Sequence, residues 1–186
     1  DRVEGPAGGH GAPAGREAEE RRWQDYSGAS MAGQVEHIAC GWHQAGLRRG
    51  EHMVVVGSNR PRLYATMLAV QSLGAVPIPL YQDAVGAECV FPINNADVRF
   101  AMVEDQEQVD KLLEIRVRCP DLAHIYYEDP RGLRNYAEPG LMSLDQLLEA
   151  GQKLAASQPG LFLAEVGKTR PQDVAAMFFT SGTTGN

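Results

Sequence analysis

Two hydrophobic rhythms alternate along this chain: helical stripes, and short unbroken apolar runs. Met31, Val35, Ile38, Trp42 and Ala45 fall at spacings of four and three, which lines them up as one stripe on a helix. Ser27 or Ser30 can cap its start, and Gly46 or Gly50 its end. Trp42 is predicted to be core rather than a ligand platform. Residues 52–56 form a short β-branched run, followed by Gly57, Ser58 and Asn59 and then a helix with Pro61 in its first turn. Leu63, Met67, Val70 and Leu73 mark the buried side of that helix, and Gly74 stops it. Residues 75–80 hold Pro77 and Pro79, each lacking a ladder donor, so the segment is an edge strand or an extended connector.

The alternation continues. Residues 84–94 read mostly as helix, which Pro92 ends or kinks unless it falls in a first turn. Residues 98–103 are predicted as a strand. Glu104 and Asp105 then serve as first-turn acids of a helix, where negative charge complements the dipole. Adjacent residues do not face each other on a helix, which argues against an acid–base pair. Val109, Leu112, Leu113 and Val117 give that helix its buried face, and Pro120 closes it. A strand follows over 122–127 and a surface loop over 128–142. Ser143 and Gln146 form a capping box ahead of a short helix carrying Leu144, Leu147 and Leu148, and 152–172 reads as a loop. Strands separated by helical patterns imply βαβ crossovers, so the predicted fold class is α/β, a mainly parallel sheet with helices on both faces.

The last stretch carries the chemistry. Residues 174–179 contain no charge and read as a strand buried on both faces of a parallel sheet. The run then breaks into hydroxyls and glycines. Thr180, Ser181, Thr183 and Thr184 offer O–H donors, while Gly182 and Gly185 let a ligand approach the backbone N–H groups. A polyphosphate has many acceptor oxygens and no donors, so such a loop can cradle it. The competing reading is an ordinary Ser/Thr/Gly turn. The loop is not a Walker A sequence, which needs a lysine absent here, nor is it G-x-G-x-x-G. In parallel sheets ligands bind at the carboxyl ends of strands, where this loop would lie. The junction at Gly57, Ser58 and Asn59 is a weaker anion candidate, because its single glycine and good capping residues favour a structural role.

The run from Phe178 through Thr180, Ser181, Gly182, Thr183, Thr184 and Gly185 to Asn186 resembles the phosphate-loop signature of the adenylate-forming superfamily: acyl-CoA synthetases, peptide-synthetase adenylation domains and luciferases. In that family a proline and a lysine follow, and the chain stops before both. Residues 69–80 are similar to a second core motif of the superfamily, a helix leading through a small-Gly-Ala turn into a proline-bearing strand. Residues 103–114 and 127–133 look like the corresponding segments of bacterial long-chain fatty acyl-CoA ligases. The resemblance implies an ATP- and Mg²⁺-dependent enzyme that converts a carboxylic acid, here a long-chain fatty acid, to an acyl-adenylate and passes it to coenzyme A. It implies that Thr180, Ser181, Gly182, Thr183, Thr184 and Gly185 contact the β- and γ-phosphates. No catalytic residue and no metal ligand is assigned, since the groups that would bind adenine, ribose and acyl chain, and the late lysine, are expected past Asn186. Other adenylate-forming enzymes, such as an aryl-CoA ligase or an amino-acid adenylation domain, and a non-enzymatic nucleotide-binding module remain alternatives.

Composition fits without adding much. Hydrophobic content of 44% with 22% charged residues is that of a globular protein. A net charge of −7 argues against nucleic acid, whose binders carry a basic stripe. Cys40, Cys89 and Cys119 are far apart without C-x-x-C spacing and read as buried thiols of a cytoplasmic protein. The histidines form no metal-ligand pattern, and no apolar run is long enough to span a membrane, leaving peripheral attachment open. Residues 1–22 are Gly/Ala/Pro-rich and expected to stay unordered, with order starting near Trp23. Residues 23–186 would then be the front portion of a large adenylating domain, cut within its phosphate loop and lacking a C-terminal domain. The isolated 186 residues are expected to be inactive and poorly soluble.

Overall fold

The computed structural model describes the backbone of residues 13–19 and 22–180, with side chains from Ser27 to Thr180. Strand β1 (Pro13–Glu19) pairs antiparallel with β2 (Arg22–Ser27), with a register shift between Pro13 and Gly15. This corrects the expectation of an unordered tail through residue 22. Backbone N–H and C=O groups pair whatever the side chains, and a hairpin satisfies them without a core of its own. Residues 1–12, 20 and 21 lie outside the described residues.

Helix α1 (Gly28–Ala45) is the first stripe realised. The Ser27 hydroxyl accepts from the Ser30 N–H at 3.1 Å, and Gly46, at φ 92°, ends the helix in the left-handed conformation that suits glycine. Strand β3 (His52–Val56), helix α2 (Pro61–Ser72) and strand β4 (Val76–Leu80) follow as expected. Helix α3 (Gly86–Asn95) runs straight through Pro92, which does not end it. The ring forfeits one backbone hydrogen bond, but Cys89, Pro92 and Ile93 are all buried beneath the sheet and hold the last turn in place. Strand β5 (Phe100–Val103) leads to α4 (Gln106–Ile115), which tightens into a 3₁₀ turn at Arg116–Arg118 before β6 (His124–Tyr127) and the short β7 (Leu141–Ser143). The capping box at Ser143 and Gln146 forms and opens α5 (Leu144–Ser157). That helix extends well past the short one expected, and α6 (Leu161–Val166) occupies part of the expected loop. Lys153, Leu154, Ala155 and Ala156 are strong helix formers with no proline among them, and Lys153 pairs with Glu149 at 2.7 Å.

The five strands β4-β3-β5-β6-β7, in that order, are all parallel. Alternate residues feed two cores. Met53, Val55, Phe100, Met102 and Tyr126 point into a cluster under α1, α2 and α5, whose centre is the fully buried Trp42, 4.5 Å from Tyr126 and 5.9 Å from Phe100 by ring centroids. Val54, Val56, Ile78, Ala101, Val103 and Ile125 point into the opposite cluster under α3 and α4. The chain is a three-layer α/β fold with helices on both faces of a parallel sheet, as predicted. Helices α1 and α5 touch backbone to backbone where Gly41 and Gly151 meet, a Cβ on Gly151 falling 1.8 Å from the His37 carbonyl oxygen.

Candidate functional site

Residues 174–179 do not form the expected strand buried on both faces. They run extended beside β4, with Val174 58% and Phe178 69% exposed. The reason lies in β4. The Val76 N–H donates inward, to the Glu51 carbonyl beside β3 at 2.8 Å, so by alternation Pro77 and Pro79 face the open edge and present no donors there. A full ladder cannot form on that edge. What forms is one backbone bond, from the Met177 N–H to the Pro77 carbonyl at 3.1 Å, together with a side-chain bond from the Gln71 amide to the Ala175 carbonyl at 2.8 Å. Met177 and Phe179 still pack against the lower core, Phe179 meeting Phe91 edge-on at 6.0 Å.

These contacts fix a direction. Ala175 sits by the last turn of α2, Met177 by the start of β4, and Phe179 by α3, so the segment rises alongside β4 in the same sense. It delivers the exposed Thr180 toward the carboxyl ends of the strands. Ser181, Gly182, Thr183, Thr184 and Gly185 lie outside the described residues. The foot of the segment is pinned by Arg49, whose guanidinium donates to the Glu165 carbonyl at 2.9 Å and lies 3.5 Å from the Asp173 carboxylate.

The same end of the sheet holds a charged cluster that the sequence did not reveal. Glu104 was expected in the first turn of α4, yet only Asp105 caps that helix, accepting from the Gln108 N–H at 3.3 Å. Glu104 instead turns toward the β3–α2 junction, where its carboxylate accepts from the Ser58 N–H at 2.5 Å and the Arg60 Nε at 2.8 Å. Arg60, not Ser58 or Asn59, occupies the N-cap of α2 and gives it no side-chain cap. The anion attracted to this helix N-terminus is the chain's own buried carboxylate. Burial alone would push the Glu104 carboxyl up, but hydrogen bonds from Ser58 and Arg60 outweigh it and hold the group below the ordinary glutamate value. Neighbouring Asp129 is also held low, first by its hydrogen bonds to Arg131. The only signal in the sequence was an acid directly after β5, a strand that pairs with β3 across two intervening helices and a strand.

Cys40, Cys89 and Cys119 are buried free thiols, each pushed up by burial and therefore poorly nucleophilic. Among the described residues no group of three or more His, Cys, Asp or Glu side chains could hold a metal ion, and no helix is long and apolar enough to cross a membrane.

With this geometry in place, comparison with known proteins is decisive at family level. The model of the AMP-binding enzyme family matches residues 9–186, nearly the whole chain. The chain belongs to that family. It is 26% identical over 163 residues to the long-chain-fatty-acid–CoA ligase FadD15 of Mycobacterium bovis, covering 88% of this chain and 25% of the relative. The long-chain-fatty-acid–CoA ligase ACSBG1 of Homo sapiens is 23% identical over 167 residues, covering 89% of this chain and 22% of that one. The chain thus spans about a quarter of the length of these curated relatives. Among solved structures, an anthranilate CoA ligase, AuaEII, in complex with anthranoyl-AMP superposes with a TM-score of 0.72 at 18% identity, over 87% of this chain and 28% of that one. The N-terminal domain of FACL13 from Mycobacterium tuberculosis gives 0.62 at 18% identity, over 87% and 36%. These likenesses show that the α/β fold is shared with part of each of those chains.

Proposed function

We propose that this chain is part of an ATP-dependent, AMP-forming acid–thiol ligase, and that Thr180, Ser181, Gly182, Thr183, Thr184 and Gly185 hold the β- and γ-phosphates of ATP. The observation that carries the proposal is the rise of residues 174–180 along β4 toward the carboxyl edge of an all-parallel sheet, in a chain of the AMP-binding family. The acid on this reading is a long-chain fatty acid, the substrate class named for the curated relatives, and the accepting thiol is coenzyme A. Buried reduced thiols support a cytoplasmic setting.

The chemistry asked of these residues is positioning and electrostatics. The acid's carboxylate attacks the α-phosphorus, the bond to the bridging oxygen breaks, and pyrophosphate leaves with its electron pair. Hydroxyl and backbone donors around the departing tail stabilise the charge that accumulates there. The described residues offer no cluster that fits a metal ion. Mg²⁺ is therefore assigned to the nucleotide substrate, and none of the described side chains is given a step through it.

The test is isotope exchange of labelled pyrophosphate into ATP, driven by palmitate, with the full-length enzyme. Replacing Thr183 or Thr184 by valine keeps the shape and removes one donor to a charged oxygen, and is expected to slow exchange at least about tenfold. Exchange at the parent rate in both variants would overturn the phosphate assignment. Absence of exchange with any carboxylate in the parent enzyme would favour a nucleotide-binding module without ligase activity.

A further inference from the structure

The hydrogen-bond pattern beside β4 carries a role for a residue on a different element. In a parallel ladder the residue that sends its N–H to one partner carbonyl receives an N–H from two residues further along, so donors and acceptors alternate strictly on each edge. With the Met177 N–H on the Pro77 carbonyl, continuing that ladder one step down would place the Ala175 carbonyl opposite the backbone nitrogen of Pro77. Pro77 has no hydrogen to give. The Ala175 carbonyl instead accepts from the side-chain amide of Gln71, on the last turn of α2, at 2.8 Å.

We propose that Gln71 is a positioning residue for the phosphate loop, its side-chain amide standing in for the backbone N–H that Pro77 lacks. The inference rests on the phosphate-loop reading above. The stretch from Val174 to Thr180 belongs to no strand or helix, and two of its large side chains, Val174 and Phe178, face outward. Its height and tilt along β4 are therefore set by few contacts: Arg49 on Asp173, Gln71 on Ala175, Pro77 on Met177, and Phe91 on Phe179. Of these, the Gln71 bond is the one that fixes a backbone group from outside the sheet. Losing it frees the Ala175 peptide to rotate and lets the stem shift by a fraction of an ångström, enough to misplace donors aimed at phosphate oxygens.

Gln71 is half-buried and is a member of neither hydrophobic core, so its replacement should spare the fold. The experiment uses the full-length enzyme with ATP, palmitate and coenzyme A. Gln71→Met, which removes the amide, and Gln71→Glu, which sets oxygen against oxygen, are expected to raise KM for ATP about three- to tenfold, with KM for palmitate and the melting temperature close to the parent's. Adding Pro77→Ala to Gln71→Met restores a backbone N–H facing Ala175 and is expected to recover most of the lost ATP affinity, a rescue that general loosening would not give. An unchanged KM for ATP, a parallel rise for ATP and palmitate, or no recovery on adding Pro77→Ala would overturn the role of Gln71. Thr183→Val in the same assay separates the two layers. If it weakens ATP and Gln71→Met does not, only the positioning role falls. If neither variant weakens ATP, the phosphate-loop reading falls and takes this role with it.

Discussion

Gly151→Ala is expected to destabilise the protein by about 3 kcal/mol, lowering the melting temperature by on the order of 10 °C. The added methyl would lie 1.8 Å from the His37 carbonyl oxygen and 2.6 Å from the Gly41 nitrogen, both backbone atoms of α1. No side-chain rotation relieves that overlap. The two helices must part, and separation loosens the packing of Leu144 and Leu147 against Ile38 and Trp42 in the upper core. An internal control exists in α1 itself: a Cβ on Gly33 meets nothing within 4 Å, and Gly33→Ala is expected to stabilise the helix by about 0.5–1 kcal/mol. Thermal unfolding of both variants in the full-length protein tests the contact. A Gly151→Ala curve lying on the parent's would show that α1 and α5 do not pack through these glycines.

Glu104→Gln should cost about 2 kcal/mol near neutral pH. It keeps the side chain's size but leaves Arg60 and the Ser58 N–H to share one neutral oxygen, and removing one partner of a largely buried pair is expensive. The partial exposure of Arg60 keeps the figure below that for a wholly buried pair. The pH dependence follows from the direction of the shift. Glu104 is held below its ordinary value in the folded chain, so its contribution is present above the unfolded-state pKa of about 4.3 and is lost as pH falls through the lower folded value. The stability gap between parent and variant should be widest near pH 7 and close progressively below about pH 4. Asp129 and Glu165, also held low, are common to both proteins and cancel in the difference. Urea unfolding at both ends of the range decides it, and a gap independent of pH would exclude the carboxylate's role.

Much of the scaffold was legible because its determinants are local. The stripe from Met31 to Ala45 and the Ser27 cap of α1, the capping box at Ser143 and the edge position of β4 all follow from residues within a few places of one another. Failures mark the points where distant or backbone geometry took over. Val117 extends the apolar period of α4 on paper, but the chain tightens at Arg116–Arg118, rotating Val117 out to 89% exposure while Ile115 goes under the sheet. The hairpin of β1 and β2 is a backbone pairing with no side-chain rhythm to announce it. Strand β7, three residues long, is too short to show one.

Site chemistry divides the same way. Hydroxyl and glycine types from Thr180 onward were visible as types, whereas the path leading to them depends on Gln71 and Pro77, a hundred residues earlier in the chain. Glu104 looked like a helix-start acid because its true partners, Ser58 and Arg60, sit in the turn that follows the neighbouring strand of the sheet and not next in sequence.

The prolines of β4 have one more effect. A border that shows carbonyls and hides no amides cannot zip to a second copy of itself, since two such borders would meet oxygen to oxygen. Copies of the chain crowded together are thereby denied the most direct route to runaway sheet extension, while the same border accepts the extended stretch 174–179 of its own chain.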